Sequence, residues 1–138
     1  MWIKNWFSNM EQMAPLQYQE LTFHTVENFY QAMKTKDLKD RKRISQLNPY
    51  QAKKAGRKLR LREDWESIKE KVMLYALRHK FTKTPKWKNK LLQTPGDIIE
   101  NNNWHDLFWG KCVCSRHRGK GKNKLGILLM QIRAELLG

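Results

Sequence analysis

No stretch of this chain is long and apolar enough to cross a bilayer. Its longest apolar run, Leu125 to Met130, is interrupted by glycine and falls far short of the ~20 residues that a spanning helix needs. The N-terminal Met-Trp-Ile-Lys-Asn-Trp lacks the apolar core and small-residue cleavage site of a secretory signal, so the expected location is cytoplasmic. Cysteine is scarce: the two residues, Cys112 and Cys114, are separated by one position, a poor spacing for a structural disulfide. A reducing compartment agrees with that. Acidic residues are few, 13 against 28 lysines and arginines, which leaves a formal net charge of +15. There is no internal repeat and no break in composition, and the expectation is a single domain over residues 1–138.

What is present is the material of a folded core. Apolar residues make up 40% of the chain and aromatics 11%, with six tryptophans, so the low mean hydropathy reflects abundant Lys and Arg rather than a missing interior. The positive charge clusters in Lys34 to Arg43, Lys53 to Arg62 and Lys111 to Lys124. Potential of that size attracts polyanions and phosphate-bearing ligands and makes their binding sensitive to salt. Nucleic acid is therefore a candidate partner.

The pattern of residues predicts a mainly helical α+β protein with about six helices and a small β component. Strand-like stretches occur around Trp2 to Trp6 and Gln19 to His24, separated by a polar segment with Pro15. Thr25 can cap a helix in which Val26, Phe29, Tyr30 and Met33 follow helical spacing. Asn48-Pro49 opens another that Gly56 can close, and Asp64 begins the longest, with Trp65, Ile68, Val72 and Ala76 on one stripe and Met73, Leu77 and Phe81 beside it. Thr84-Pro85 starts a short helix stopped by Thr94-Pro95-Gly96. A brief strand is expected over Asp97 to Glu100, a turn at Asn101-Asn102-Asn103, and a final helix capped by Asn123, with Leu125, Leu129, Ile132 and Leu136 inward.

Two segments carry residue types that packing alone does not require. At about 100° per residue, Glu27, Gln31 and Lys34 share one face of the helix from Thr25, with Tyr30 at its border. Taken alone, that face reads as an ordinary exposed polar one. In Trp104-His105-Asp106-Leu107-Phe108-Trp109-Gly110, the glycine after Trp109 permits close backbone approach to an aromatic plane, and Asp106 supplies a carboxylate. A tryptophan-rich packing loop is the alternative.

Taken in order, Phe7-Ser8-Asn9, the Glu-x-x-Tyr-Gln-Ala-x-Lys block beginning at Glu27, Ala52-Lys53 with Gly56-Arg57, Lys80-Phe81, Asp106 with Trp109-Gly110, and Gly121-x-Asn123-x-Leu125-Gly126 resemble the NADAR family, also called YbiA-like. Its members cleave N-glycosidic bonds of ribosylated, phosphate-bearing compounds. The resemblance covers essentially the whole chain and implies a compact YbiA-like domain with a ribose-phosphate pocket. It makes Glu27, Lys34, Asp106 and Trp109 the catalytic candidates, and Phe7, Ser8, Asn9, Tyr30, Arg57, Gly110, Gly121, Asn123 and Gly126 the candidates for substrate binding, with Gly121 and Gly126 allowing close backbone approach near a helix N-terminus.

Cleaving such a bond requires stabilising an oxocarbenium-like sugar and protonating the departing base. Carboxylates can do both, and a lysine of lowered pKa offers an imine route instead. The implied substrates are guanine bases bearing ADP-ribose, favoured here by the positive charge, or ribosylamino-pyrimidine phosphates of the riboflavin pathway. No cofactor or metal is expected, and the oligomeric state is open. Two rival readings remain: a non-catalytic basic module that binds ADP-ribose or nucleic acid, and a nucleic-acid-binding protein stabilised by zinc on His105, Cys112, Cys114 and His117. Cys-x-Cys is not the usual Cys-x-x-Cys knuckle, and free cysteines beside a substrate loop are the simpler expectation.

Overall fold

A computed structural model describes residues 7–138, so the strand expected around Trp2 to Trp6 lies outside the described residues. The chain forms two compact units, one spanning residues 9–85 and the other residues 86–138 together with residues 7 and 8. Among the described residues there are six α-helices and two two-stranded sheets.

The first unit begins with a tight antiparallel hairpin, β1 (Leu16–Tyr18) against β2 (Leu21–Phe23), with Leu16 opposite Phe23. Its two turn residues, Gln19 and Glu20, both adopt positive φ (51° and 65°), the backbone that a two-residue turn needs to match strand twist. The single strand expected over Gln19 to His24 is thus the turn and second arm of a hairpin. Neither turn residue is glycine, so the usual sequence signal was missing.

Helix α1 (Val26–Ala32) starts where the Thr25 hydroxyl accepts from the Asn28 N–H, and α2 (Leu38–Ser45) where Asp37 accepts from the Asp40 N–H. Helix α3 (Pro49–Arg57) carries a full capping box between Asn48 and Gln51. Helix α4 (Trp65–Lys83) follows. The other three helices of this unit pack around α1, and all seven of its residues are buried. Phe29 holds the centre, edge-on to Phe23 at 5.4 Å and stacked on Tyr75 at 5.5 Å. On α4 the buried line is Trp65, Met73, Ala76, Leu77, Lys80 and Phe81, so Ile68 and Val72 sit at its margin rather than in it.

The second unit contains α5 (Pro85–Leu92, starting at the boundary), β3 (Asn101–Asn102), β4 (Lys111–Cys112) and α6 (Lys124–Leu137). Strands β3 and β4 pair in parallel. Residues 97–100, expected as a strand, are irregular, while the asparagines expected as a turn make the β pairing. The Asn102 side chain explains the inversion: Nδ2 donates to the Asp106 and Lys111 carbonyls, and Oδ1 accepts from the Trp104 and Asp106 N–H groups. On α6, Leu125, Leu129 and Ile132 are buried as expected, whereas Leu136 is half-exposed.

Candidate active site

The polar face of α1 is not solvated. Glu27 is 8% exposed and Gln31 5%, because α2, α3 and α4 cover α1 on all sides. This overturns the ordinary exposed face as an explanation. Burial pushes the Glu27 carboxyl above its usual range, opposed by a 2.6 Å hydrogen bond from Gln31 Nε2 and by the charges of Lys53, Lys34 and Arg57. The backbone carbonyl of Asn9 accepts from the Glu27 N–H at 3.0 Å and fixes the start of the helix over this residue.

Lys34 follows the helix end in a turn whose carbonyl accepts from the Arg62 N–H at 2.8 Å. Its ammonium lies 5.5 Å from the Tyr30 ring centroid, and Tyr30 is in turn held edge-on by Trp65 at 5.1 Å. Burial lowers the Lys34 pKa; Glu27 resists that, and the nearby cations Arg57, Lys53 and Lys69 add to it. A half-buried amine and a buried carboxyl, each driven toward its neutral form, thus share one electrostatic environment. Two grooves of this unit, about 640 and 470 Å³, are lined by neither residue.

Two residues beside the pair escaped the sequence reading of the site. Gln31 grips Glu27, yet its own Oε1 is buried without a hydrogen-bond partner, as is Oδ1 of Asn9. Gly56 makes room for Gln31, since a Cβ there would stand 1.8 Å from Gln31 Oε1. Gln31 lay within the quoted block, but a glutamine on a helix face carries no chemical signal without its burial. Lys53 is the other. Arg57 is exposed, and Asn9 donates through Nδ2 to Met73 Sδ at 3.6 Å.

In the second unit Asp106 Oδ1 accepts from the Phe108 and Trp109 N–H groups at 3.0 and 2.9 Å, which aims the half-buried Trp109. Phe108 lies edge-on to it at 4.8 Å. The loop then clasps the start of α6: the Lys124 and Leu125 N–H groups donate to the Phe108 and Trp109 carbonyls. Those N–H groups are therefore occupied by protein rather than presented to an anion.

Asn123 does not cap α6 with its side chain. It sits at φ 53°, accepts from the Glu100 N–H at 2.9 Å and donates to the Ile98 carbonyl at 2.9 Å, so both ends of its amide are bound to backbone. Gly110, Gly121 and Gly126 are spacers in the same construction, where a Cβ would come within 2.5 Å of the Glu100 carbonyl oxygen, 2.2 Å of the Gly110 oxygen and 2.0 Å of the Ile98 oxygen. Phe7 is buried and Ser8 half-exposed. Gly126→Ala must push one backbone off another, and a loss of about 1–3 kcal/mol is expected. Thermal unfolding at the wild-type midpoint would show that the contact relaxes freely.

A model of the NADAR domain matches residues 1–137. The chain belongs to the NADAR family. N-glycosidase YbiA of Escherichia coli (strain K12) is 39% identical over 126 residues, covering 88% of this NADAR chain and 76% of that protein. The chloroplastic riboflavin biosynthesis protein PYRR of Zea mays is 37% identical over 131 residues, which cover 85% of this chain. The NADAR chain spans only 20% of that plant protein's length. The NMR structure of the E. coli protein YbiA matches the NADAR chain with a TM-score of 0.78 at 36% identity, over 96% of this chain and 77% of the other. Among the described residues no helix is long and apolar enough to cross a membrane.

Proposed function

We propose that the protein is an N-glycosyl hydrolase that cleaves the bond between a base-like group and a phosphorylated ribose, with ADP-ribose on guanine bases of nucleic acid as its substrate. The observation that carries the reading is the Glu27 and Lys34 pair, with the carboxyl raised and the amine lowered by burial. A neutral amine has the lone pair needed to attack the anomeric carbon, and a protonated carboxyl can give its proton to the departing base. The C1′–N bond to the base then breaks as the bond to Lys34 Nζ forms. Ring opening yields an imine, water adds to it, and breaking the carbon–lysine bond frees the sugar and restores the amine. Direct attack by water is the alternative route.

Lys53 and Arg57, whose charges reach Glu27, supply positive potential suited to phosphate. Tyr30 steadies Lys34 through its ring face. The family resemblance implies roles for Asp106 as charge stabiliser and Trp109 as base-stacking surface, and for Phe7 and Ser8 as substrate contacts. Asn123, Gly110, Gly121 and Gly126 serve by holding the Asp106–Trp109 loop in shape. No cofactor is needed for these steps.

The net charge of +15 favours a nucleic-acid substrate. The similarity to the plant riboflavin biosynthesis protein favours a ribosylamino-pyrimidine phosphate as the second reading. Product analysis after incubation with guanine-ADP-ribosylated DNA, and separately with the pyrimidine phosphate, decides between them. Release of ADP-ribose from the DNA is expected. Cleavage of the small compound alone would move the enzyme to pyrimidine chemistry, and no release from either would leave a binding module.

A further inference from the structure

The loop that follows Asn102 gathers four side chains that the proposed hydrolysis does not use. We propose that His105, Cys112, Cys114 and His117 form a closed tetrahedral zinc site that clamps this loop. One ligand atom from each lies within 4.8 Å of all the others. His105 Nδ1 stands 3.2 Å from His117 Nδ1, 3.5 Å from Cys114 Sγ and 3.8 Å from Cys112 Sγ, and Cys114 Sγ is 3.1 Å from His117 Nδ1. A zinc ion with bonds of ~2.3 Å to sulfur and ~2.0–2.1 Å to nitrogen has tetrahedral edges of about 3.4–3.8 Å. The four distances of 3.1–3.8 Å span and slightly undershoot that range, so an ion needs only small side-chain adjustments. Two thiolates and two imidazoles are also the donor set that selects zinc among divalent ions, and four protein ligands leave no open position for catalysis.

The backbone around the cluster is arranged to the same end. The His117 N–H donates to Cys114 Sγ at 3.3 Å, an interaction that favours a thiolate. His105 is held at φ 68°, a left-handed conformation that side-chain-bearing residues adopt infrequently, and it turns the chain between residues 104 and 106, which Asn102 pins. Between Cys112 and Lys120 a closed knuckle forms: the Cys112 N–H donates to the Lys120 carbonyl, the Gly119 N–H to the Cys112 carbonyl, and the Arg118 N–H to the Cys114 carbonyl. Spacing alone argued against zinc because Cys-x-Cys is not the usual Cys-x-x-Cys knuckle and no second pair of that kind lies elsewhere in the chain. The second pair is His117, one turn on, and His105, which arrives from before Asp106.

Such a site explains how an exposed, strongly basic loop can hold one shape. Two thiolates neutralise the ion, so the site adds no charge to a segment already crowded with Arg116, Arg118 and Lys120. The clamp borders Asp106 and so limits the motion of the turn that aims Trp109. It is independent of the chemistry proposed for Glu27 and Lys34, because its test reads metal.

The untagged full-length protein, purified without chelator, is expected to contain about one zinc ion per chain by elemental mass spectrometry. Replacing zinc with Co²⁺ should give the absorption of a tetrahedral ion with thiolate charge-transfer bands. Cys112 is buried and its substitution could disturb folding, so His105→Ala and His117→Ala, at less buried positions, are the informative variants. Each should weaken metal binding by roughly 100-fold or more with helical content retained. Metal-free protein that gives no tetrahedral Co²⁺ spectrum would overturn the assignment, as would variants that bind zinc as tightly as wild type.

Discussion

Lys34→Ala is expected to lower the rate of base release by roughly 10³-fold or more while leaving the protein folded. Its magnitude follows from the role: without the amine there is no covalent route, and only transition-state binding by the remaining groups persists. Substrate affinity should change far less than turnover. The folded protein lowers the Lys34 pKa chiefly by burial. Any stability this residue contributes is therefore complete only above its ordinary pKa and is lost as pH falls through the lowered one, so removing it costs little at neutral pH.

The same shift sets the acid limb of the rate profile. Activity should decline as pH falls through the lowered Lys34 pKa, because the protonated amine has no lone pair to offer. Lys34→Arg keeps a positive charge but cannot form the imine, and should fail like alanine. Borohydride added during turnover should reduce the imine and leave the mass of an ADP-ribosyl group on the peptide that contains Lys34. If Lys34→Ala instead keeps its rate within about 10-fold, the lysine route is wrong and water attacks directly, aided by Glu27.

The second large effect concerns stability and arises from a different lysine. Lys80 is 0% exposed, and burial pushes its pKa from 10.5 down to about 7, with Glu11 acting weakly against the shift. A lysine depressed in the folded state contributes stability that is complete above its unfolded pKa, near 10.5, and is lost as pH falls toward 7. Between pH ~7 and ~10 the unfolded chain binds the extra proton, so wild-type stability rises with pH relative to a variant without this group. Integrated over that window the gain is about 3 kcal/mol.

Lys80→Met keeps the length and apolar stem but cannot titrate. Denaturant unfolding of both proteins across the window should show the difference between them moving in favour of wild type as pH rises. A difference independent of pH would mean that Lys80 stays charged inside the fold, matched by partners strong enough to offset its desolvation.

Helix positions were legible from sequence where a capping residue led the segment, as at Thr25 with α1 and Asn48-Pro49 with α3, and for α4 from its apolar repeat, since the Asp64 side chain makes no cap hydrogen bond. Helix α2 was not placed, because its eight residues carry five charges and bury only Arg41 and Ile44, which makes no periodic stripe. Arg41 belongs to a basic run, yet it is buried with Nε donating to the Thr35 carbonyl and Nη1 to Gln19 Oε1. A charge run therefore need not be a solvated face. The buried Lys80 is a second instance.

By itself the sequence determined the family, the predominance of helix, the positive charge and the identity of the chemical groups in each block. These depend on residue types at fixed short spacings, which local rules can read. Only the tertiary structure decided the states of those groups. It covered α1 on every side and so drove Glu27 and Lys34 toward their neutral forms, and it occupied both ends of the Asn123 amide with the backbone of residues 98 and 100. It also carried His105 back to two cysteines and a histidine further along the chain. The reason is common to all three: burial and convergence come from neighbours brought in by other elements, and residue spacing within one segment does not encode them.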